Sequence, residues 1–122
     1  SEALSAYLLR DAIQAQPDLA LPHYILGRLL YERGAYDEAQ SELGLALSAA
    51  QPLPDERFRY QAQLLRGQAA LLAGRATEAT QFFQELLATA PTGAKHLEAQ
   101  DMLERAQRWD GLPLPSVSSA GR

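Results

Sequence analysis

The chain repeats itself, and this limits the folds open to it more than any other feature. A shift of 40 positions places Gly27 on Gly67, Gly34 on Gly74, Glu38 on Glu78, Ala39 on Ala79 and Leu43 on Phe83. A shift of 34 positions places Leu9 on Leu43 and Ala12 on Ala46. The two spacings describe one unit if the longer copy carries about six extra residues around positions 51–56. A repeat of this length cannot bury its apolar face alone, so the sequence predicts a stack of similar units.

Each unit has the pattern of two helices. From Leu19 to Arg33 apolar residues recur at helical spacing, and Gly34 can adopt the left-handed conformation that ends a helix. A second helix follows and is broken by the prolines after position 51. The pattern recurs from Asp55, a candidate N-cap, to Gly74 and from Ala76 to Ala90. Val occurs once and Ile twice, which argues against a sheet, so the fold class is predicted to be all-α.

We expect an array of about six helices over residues 1–109, followed by a flexible Pro- and Ser-rich tail over 110–122. Within the array, residues 1–17 are expected to be the second helix of a truncated repeat, which leaves apolar surface exposed at that end. The chain is thus interpreted as a fragment of a longer protein. The remaining predicted segments are a full repeat over 18–52, a full repeat with a longer first helix or loop over 53–91, and a capping helix with a polar outer face over 92–109.

Small residues are predicted to let the helices of a pair approach closely. Gly27 and Gly67 have no side chain at the expected helix contact, and Ala39 and Ala79 are expected to supply the facing small surface. A larger residue at these positions should force the helices of the pair apart.

The repeated residues resemble the signature of the tetratricopeptide repeat (TPR) family. That signature is a Leu-Gly pair, an aromatic residue, then Ala, a large apolar residue, Ala and a closing Pro. The resemblance covers about residues 18–91 and implies a right-handed superhelical stack of antiparallel helix pairs. The first repeat matches at Leu26, Gly27, Tyr31, Tyr36, Ala39, Leu43 and Ala46, and the second at Gly67, Ala79, Phe83 and Pro91. The second repeat departs at Arg66 and Leu86, and His23 and Gln63 replace the aromatic residue at the start of the first helix.

The resemblance also implies a partner-binding groove on the concave side, lined by the first helix of each repeat. Its positions lie three residues before the signature Gly, one after it, and four and five after it. The Lys and Asn pattern with which some family members hold the C-terminal carboxylate of a chaperone is absent, so no such clamp is expected. The predicted groove residues are Tyr24, Arg28, Tyr31 and Glu32 in the first repeat, Leu64, Gln68, Leu71 and Leu72 in the second, and Lys95 and Glu98 in the last helix. Leu71 and Leu72 could equally belong to the core.

The sequence contains no pattern that indicates chemistry. The net charge is -4 with no run of basic residues, which argues against nucleic acid as a partner, and no apolar segment is long enough to cross a membrane. His23 and His96 stand alone and are expected to have packing or surface roles rather than to bind metal. Glu98, Asp101 and Glu104 precede Arg105 and Arg108 at helical spacing, which indicates a solvated face with weak ion pairs. We therefore predict no catalytic residue, no metal site and no cofactor.

The leading functional hypothesis is a non-catalytic protein–protein interaction module, an adaptor or scaffold that binds a peptide or a partner helix in the concave groove. One alternative is a substrate-recruiting or regulatory arm of a larger enzyme. Another is a self-association module, a homodimer formed through the exposed N-terminal half-repeat, in a bacterial envelope, pilus or secretion assembly. The bacterial setting is suggested by the Ala-rich composition with more Arg than Lys. The sequence leaves the compartment open, whether cytoplasmic or periplasmic.

Overall fold

A computed structural model describes residues 1–90 and 92–109, and over these residues the chain forms six helices and no strand. The predicted all-α class is confirmed, and the helices predicted over 19–33, 55–74 and 76–90 begin and end within two residues of these bounds. The right-handed twist of the stack and the division into repeats stay predictions. Pro91 and the tail over 110–122 lie outside the described residues. The helices are α1 (Glu2–Ala15), α2 (Ala20–Glu32), α3 (Tyr36–Ser48), α4 (Glu56–Leu72), α5 (Ala76–Thr89) and α6 (Ala94–Gln107).

Consecutive helices pack against each other along the whole series, and α2 also contacts α4 directly. The three-residue connections from α2 to α3 and from α4 to α5 each contain one glycine with positive φ, +82° at Gly34 and +85° at Gly74. After each glycine the next amide donates to a carbonyl five residues back, from Ala35 to Leu30 and from Arg75 to Ala70. This hydrogen bond ends the helix and turns the chain into an antiparallel neighbour. The helix-ending role predicted for Gly34 is confirmed.

The glycines inside α2 and α4 lie where the helices of a pair come closest. A methyl group added at Gly27 would lie 2.7 Å from Leu43 Cγ, and one added at Gly67 would lie 2.4 Å from Phe83 Cε1. Both distances are shorter than van der Waals contact, so the predicted steric role of the two glycines is confirmed.

The atoms that lie nearest to these glycines belong to Leu43 and Phe83, and the expectation that Ala39 and Ala79 supply the facing small surface stays a prediction. Ala39 is fully buried but packs in a cluster with Leu26 and Leu30, and Ala79 packs in the cluster around Phe83. Leu43 of α3 and Phe83 of α5 therefore cover Gly27 and Gly67. A large side chain of the facing helix fills the space that the missing glycine side chain leaves free.

A pair of main-chain hydrogen bonds joins the start of α2 to the linker before α4. The Ala20 amide donates to the Gln51 carbonyl at 2.9 Å, and the Gln51 amide donates to the Asp18 carbonyl at 2.9 Å. Leu53, in the same linker, is buried with the residues around Tyr24. The six-residue insertion predicted around positions 51–56 thus holds the beginning of α4 beside the beginning of α2.

The two ends of the stack differ. In α1 only Ala6 is buried, while Leu4, Tyr7 and Leu8 are 56%, 66% and 55% exposed, so the apolar surface expected at this end is present. In α6 the apolar residues Ala99, Met102 and Ala106 are buried and pack with residues of α4 and α5. The carboxylate of Asp101 accepts from Arg105 Nε at 2.8 Å, as expected for an ion pair one turn apart on a solvated face. Among the described residues, no helix has the length and apolar character that a membrane crossing requires.

Candidate partner-binding groove between α2 and α4

The neighbouring faces of α2 and α4 enclose two adjoining cavities. One has a volume of about 300 Å³ and the other about 320 Å³, and they share Tyr24, Arg28 and Gln61. We call the whole surface the α2–α4 groove. Its lining residues are Tyr24, Arg28, Tyr31 and Glu32 from α2, and Arg57, Phe58, Gln61 and Leu65 from α4.

Helical spacing explains why these side chains converge. Tyr24, Arg28 and Tyr31 follow each other by four and three residues, which places them on one face of α2. Gln61 and Leu65 are four residues apart and occupy the facing side of α4. Two helices from successive pairs thus each contribute one stripe to the groove.

The floor of the groove is aromatic. Tyr24 is only 4% exposed, and its ring meets the Phe58 ring edge to face, with the centroids 5.4 Å apart and an interplanar angle of 73°. This is the geometry that aromatic pairs prefer, and it ties the floor of the groove to the first turn of α4. Tyr24 was predicted to contact a partner, but its burial shows that it also belongs to the core between the two helix pairs.

A single arginine lies at the centre of the groove. Arg28 is exposed, and its Cζ atom lies 5.8 Å from the centroid of the Tyr24 ring, within the range of a cation–π contact. In the part of the chain that the structure describes, no carboxylate lies close enough to Arg28 to form an ion pair. Its guanidinium is held over the aromatic floor with donors still open to a ligand.

The two ends of the groove carry different charges. At the start of α4, Asp55 caps the helix by accepting from the amides of Arg57 and Phe58 at 3.0 and 3.2 Å. The Phe58 amide is the main cause of a lowered pKa for this carboxyl, and the adjacent Arg57 lowers the pKa further. The predicted N-cap is thereby confirmed. The Arg57 side chain pairs with Asp55 at 3.3 Å, so its charge is partly neutralised, and the opposite end of the groove carries the exposed Glu32.

Tyr31 forms the wall next to Glu32. Its ring meets the Tyr36 ring with centroids 5.5 Å apart and an angle of 69°. Burial, and to a smaller extent the neighbouring Tyr36, raise the pKa of Tyr31 to about 12. The phenol is therefore neutral at physiological pH and keeps its hydroxyl as a hydrogen-bond donor.

The second half of the predicted groove is closed. Leu64 is 6% exposed and Leu71 is fully buried, both in the core cluster that includes Phe83 and Met102. The structure corrects their assignment, because α6 packs beside α4 and covers the flank on which they lie. Leu72 is half-buried, and it does not line either cavity of the α2–α4 groove.

The other predicted residues of this half belong to the contact between α4 and α6. Gln68 directs its side-chain amide to the Met102 sulfur at 3.8 Å. The Tyr60 hydroxyl shares its one proton between the Lys95 carbonyl, at 3.1 Å, and the Glu98 carboxylate, and Lys95 Nζ lies 5.0 Å from the Tyr60 ring centroid. Lys95 and Glu98 thus hold α6 on α4 and do not extend the α2–α4 groove.

Sequence reasoning missed four lining residues, namely Arg57, Phe58, Gln61 and Leu65. The prediction used the same repeat positions in α2 and in α4. The two helices meet through opposite flanks, so different repeat positions line the groove in each of them. The shift of 40 positions places Leu65 on Ile25 and Gln61 on Leu21, and Ile25 is 43% exposed on the far flank of α2. The recurrence of a branched apolar residue at this position was the signal that could have identified the second flank.

The lone histidine of α2 has a packing role, as predicted. His23 is 5% exposed, with Nδ1 2.8 Å from the Glu42 carboxylate and Nε2 3.2 Å from the Pro17 carbonyl. It joins α2 to α3 and to the turn before α2. Within residues 1–90 and 92–109, no three His, Asp or Glu side chains are grouped so as to hold a metal ion.

Comparison of this chain with protein-family models, with curated proteins and with solved structures found no match.

Proposed function

We propose that the chain is a TPR-like array that binds a segment of another polypeptide in the α2–α4 groove. The observation that carries this proposal is that successive helix pairs together build one open groove with an aromatic floor and polar side chains at its rim. A binding site of this kind gains affinity from apolar burial on the floor and orientation from a few polar groups.

The polar groups of the groove suit a polypeptide. Gln61 lines both cavities and is exposed, and its amide can donate to and accept from a main-chain peptide group at the same time. Arg28 and Tyr31 add donors, and Glu32 adds an acceptor. Arg and Tyr are also the residues that most often dominate binding energy in protein interfaces. None of the eight lining side chains forms a nucleophile–base pair, so the proposal is a non-catalytic role.

The repeat geometry supports the TPR-like part of the proposal. The close approach at Gly27 and Gly67, and the glycine turns at Gly34 and Gly74, recur at the same spacing as the sequence repeat. Each helix pair is thus built by the same steric rule, which is the property that lets repeat units stack and form an extended binding surface.

The test begins with a ligand selected on the protein itself. A random-peptide phage library is panned on the 122-residue chain, and the enriched peptides are synthesised with a fluorescent label. Binding is then measured by fluorescence anisotropy for the wild type and for the double variant Arg28→Ala, Gln61→Ala. We expect the double variant to bind at least tenfold more weakly, about 1.4 kcal/mol, because it loses groups that only the ligand would contact.

A matched double variant controls for composition and charge. Arg108→Ala, Gln81→Ala changes the same residue types at exposed positions outside the groove, Arg108 at the C-cap of α6 and Gln81 on α5. It should bind like the wild type, and both double variants should keep the wild-type melting temperature. Tyr24→Ala is not a suitable test because the ring is buried in the core. Equal affinity of the groove variant and the wild type, or a library that yields no binder, would contradict the proposal.

A second function is favoured by one specific observation. Leu4, Tyr7 and Leu8 are exposed on a single face of α1, and an exposed apolar face of this kind promotes association. We propose weak self-association through α1.

A further inference from the structure

The α2–α4 groove carries a charge pattern that can select among polypeptides, and the inference drawn from it rests on the proposed function. The full chain has a net charge of -4, yet the middle of the groove carries the exposed cation Arg28, with no ion-pair partner among the described residues. Glu32 follows one turn later and is equally without an ion-pair partner in residues 1–90 and 92–109. The lining therefore presents a positive charge at its centre and a negative charge toward one end.

The position of Arg28 decides which kind of carboxylate it would meet. Arg28 lines both cavities, so the groove continues on either side of it, toward Phe58 in one direction and toward Leu65 and Tyr31 in the other. A polypeptide that fills both cavities must run past Arg28 rather than end there. The carboxylate at this point would thus belong to an internal Asp or Glu side chain and not to a chain terminus.

The surroundings of Arg28 also define the neighbours of that carboxylate. The cavity beside Phe58 and Tyr24 and the cavity beside Leu65 and Tyr31 each offer apolar surface. The Arg28 guanidinium lies 5.8 Å from the centroid of the Tyr24 ring, and a charge-assisted hydrogen bond from it to a carboxylate is stronger than one between neutral groups.

We propose that the groove selects a polypeptide segment with an internal Asp or Glu between two large apolar residues, and with a Lys or Arg on the side that faces Glu32. Arg28 and Glu32 are neighbours on the helix surface, at about 5–6 Å between their Cβ atoms. The acidic and basic residues of the ligand are therefore expected two positions apart if the segment is extended, or three to four apart if it is helical.

The test uses a phage library in which each random peptide is fused to the coat protein through its C-terminus, so that no peptide has a free terminal carboxylate. The library is panned in parallel on the wild type, on Arg28→Glu and on Arg108→Glu, which changes the charge equally at an exposed site, the C-cap of α6. The wild type and Arg108→Glu should enrich Asp or Glu at one aligned position, between two large apolar residues. Arg28→Glu should lose this enrichment, and basic residues should replace the acidic ones.

A second measurement follows the charge pair directly and does not depend on a charge-reversal variant. The selected peptide is synthesised with its acidic residue replaced by the corresponding amide, and both peptides are titrated with the wild type and with Arg28→Gln. The amide peptide should bind the wild type at least tenfold more weakly, whereas Arg28→Gln should bind the two peptides about equally. In the wild type the difference should shrink as the salt concentration rises.

The outcomes separate the two proposals. If the enriched peptides carry no acidic position, or if Arg28→Gln preserves the preference for the acidic peptide, the charge selection is overturned while binding in the groove can still stand. If peptides are enriched on every protein but bind equally well to the Arg28→Ala, Gln61→Ala variant, the groove itself is overturned and the charge selection with it. The same conclusion follows if no peptide is enriched.

Discussion

Two glycines determine how closely the helices of each pair approach. Gly27 and Gly67 are covered by Leu43 and Phe83, two of the largest fully buried side chains of the protein. The internal repeat identified these glycines correctly, because they recur inside helical segments, where a glycine that ends no helix indicates a close helix contact. It did not identify the side chains above them, since the rotation of the facing helix is set by packing and not by spacing.

Alanine at these glycines should destabilise the protein. The added methyl group would lie 2.4 Å from Phe83 at Gly67→Ala and 2.7 Å from Leu43 at Gly27→Ala. Overpacking costs about 1–3 kcal/mol and outweighs the gain of about 1 kcal/mol in helix propensity. Urea denaturation should show a lower free energy of unfolding for both variants, with the larger loss at Gly67.

Gly44→Ala is the matched control. Gly44 lies inside α3, and the nearest atom to an added methyl group is Arg66 Cδ at 3.9 Å, an ordinary contact. This variant should be more stable than the wild type by about 0.5–1 kcal/mol, because alanine favours the helix. The steric account fails if Gly67→Ala and Gly44→Ala shift the free energy of unfolding in the same direction.

The half-buried Tyr31 in the wall of the groove predicts a dependence of stability on alkaline pH. The pKa of Tyr31 is raised from its ordinary value of 10.0 to about 12 in the folded protein, so between these values the unfolded chain releases a proton that the folded protein retains. The free energy of unfolding should be constant just below pH 10 and should fall as the pH rises toward 12. The contribution is about 1 kcal/mol, since the ring is only half-buried.

Urea denaturation on both sides of pH 10 measures this dependence. Tyr31→Phe should flatten the decrease, and Tyr7→Phe, which changes a 66% exposed ring, should leave it as in the wild type. In Tyr31→Phe the free energy of unfolding should still fall somewhat at alkaline pH. The reason is that burial, and to a smaller extent the neighbouring Glu98, also raise the pKa of Tyr60. An identical pH profile for Tyr31→Phe and the wild type would contradict the prediction.

At the scale of elements, the helix bounds could be predicted from sequence and the lining of the groove only in part. Glycines, prolines and the N-cap Asp55 mark helix ends through local backbone chemistry, which sequence displays directly. Which flank of α4 meets α2 is decided by how the helix pairs pack on each other, and local sequence does not display this. The sequence thus found the α2 residues of the groove, whereas Gln61 and Leu65 were missed and Leu64 and Leu71 were misplaced.

One tyrosine supplies a polar contact in the docking of α6 on α4. Tyr60 shares its single hydroxyl proton between the Lys95 carbonyl and the Glu98 carboxylate near the start of α6. Tyr60→Phe keeps the ring and removes this shared hydrogen bond, at a cost of about 0.5–1.5 kcal/mol. Hydrogen exchange should become faster in α6, while the amides of α2 and α3 should keep their wild-type protection if the variant affects local opening.

Tyr36→Phe serves as the control for Tyr60→Phe. Tyr36 packs on Tyr31 near the start of α3, far along the chain from α6. Its conversion to Phe should leave the exchange of the α6 amides unchanged. Equal acceleration in all helices of the Tyr60→Phe variant would show that α6 does not open as a separate unit.

At the scale of the whole molecule, the stack has one end closed by α6 and one end at which α1 exposes apolar side chains. Leu4, Tyr7 and Leu8 lie on one face of α1, whereas Leu45 and Leu97 are 49% and 64% exposed on separate helices. A contiguous apolar face promotes association, while scattered apolar residues are normal on protein surfaces.

We therefore expect weak self-association through α1. Static light scattering over a dilution series should show a mass that rises with concentration for the wild type. Leu4→Gln, Leu8→Gln should remain monomeric, and the matched variant Leu45→Gln, Leu97→Gln should behave like the wild type. A mass that is independent of concentration in all three proteins would exclude this role of α1.

The main-chain bonds between Gln51 and the start of α2 have a consequence for how this surface can change. Because Ala20, Asp18 and Gln51 make these contacts through backbone atoms, the separation of the two walls at that end is independent of side-chain identity. Substitutions at Arg28, Gln61 or Glu32 can then change which ligand is preferred without changing the distance between α2 and α4. Changes in the length of the 49–55 linker should have the opposite effect. They should alter the width of the α2–α4 groove while its lining side chains stay the same.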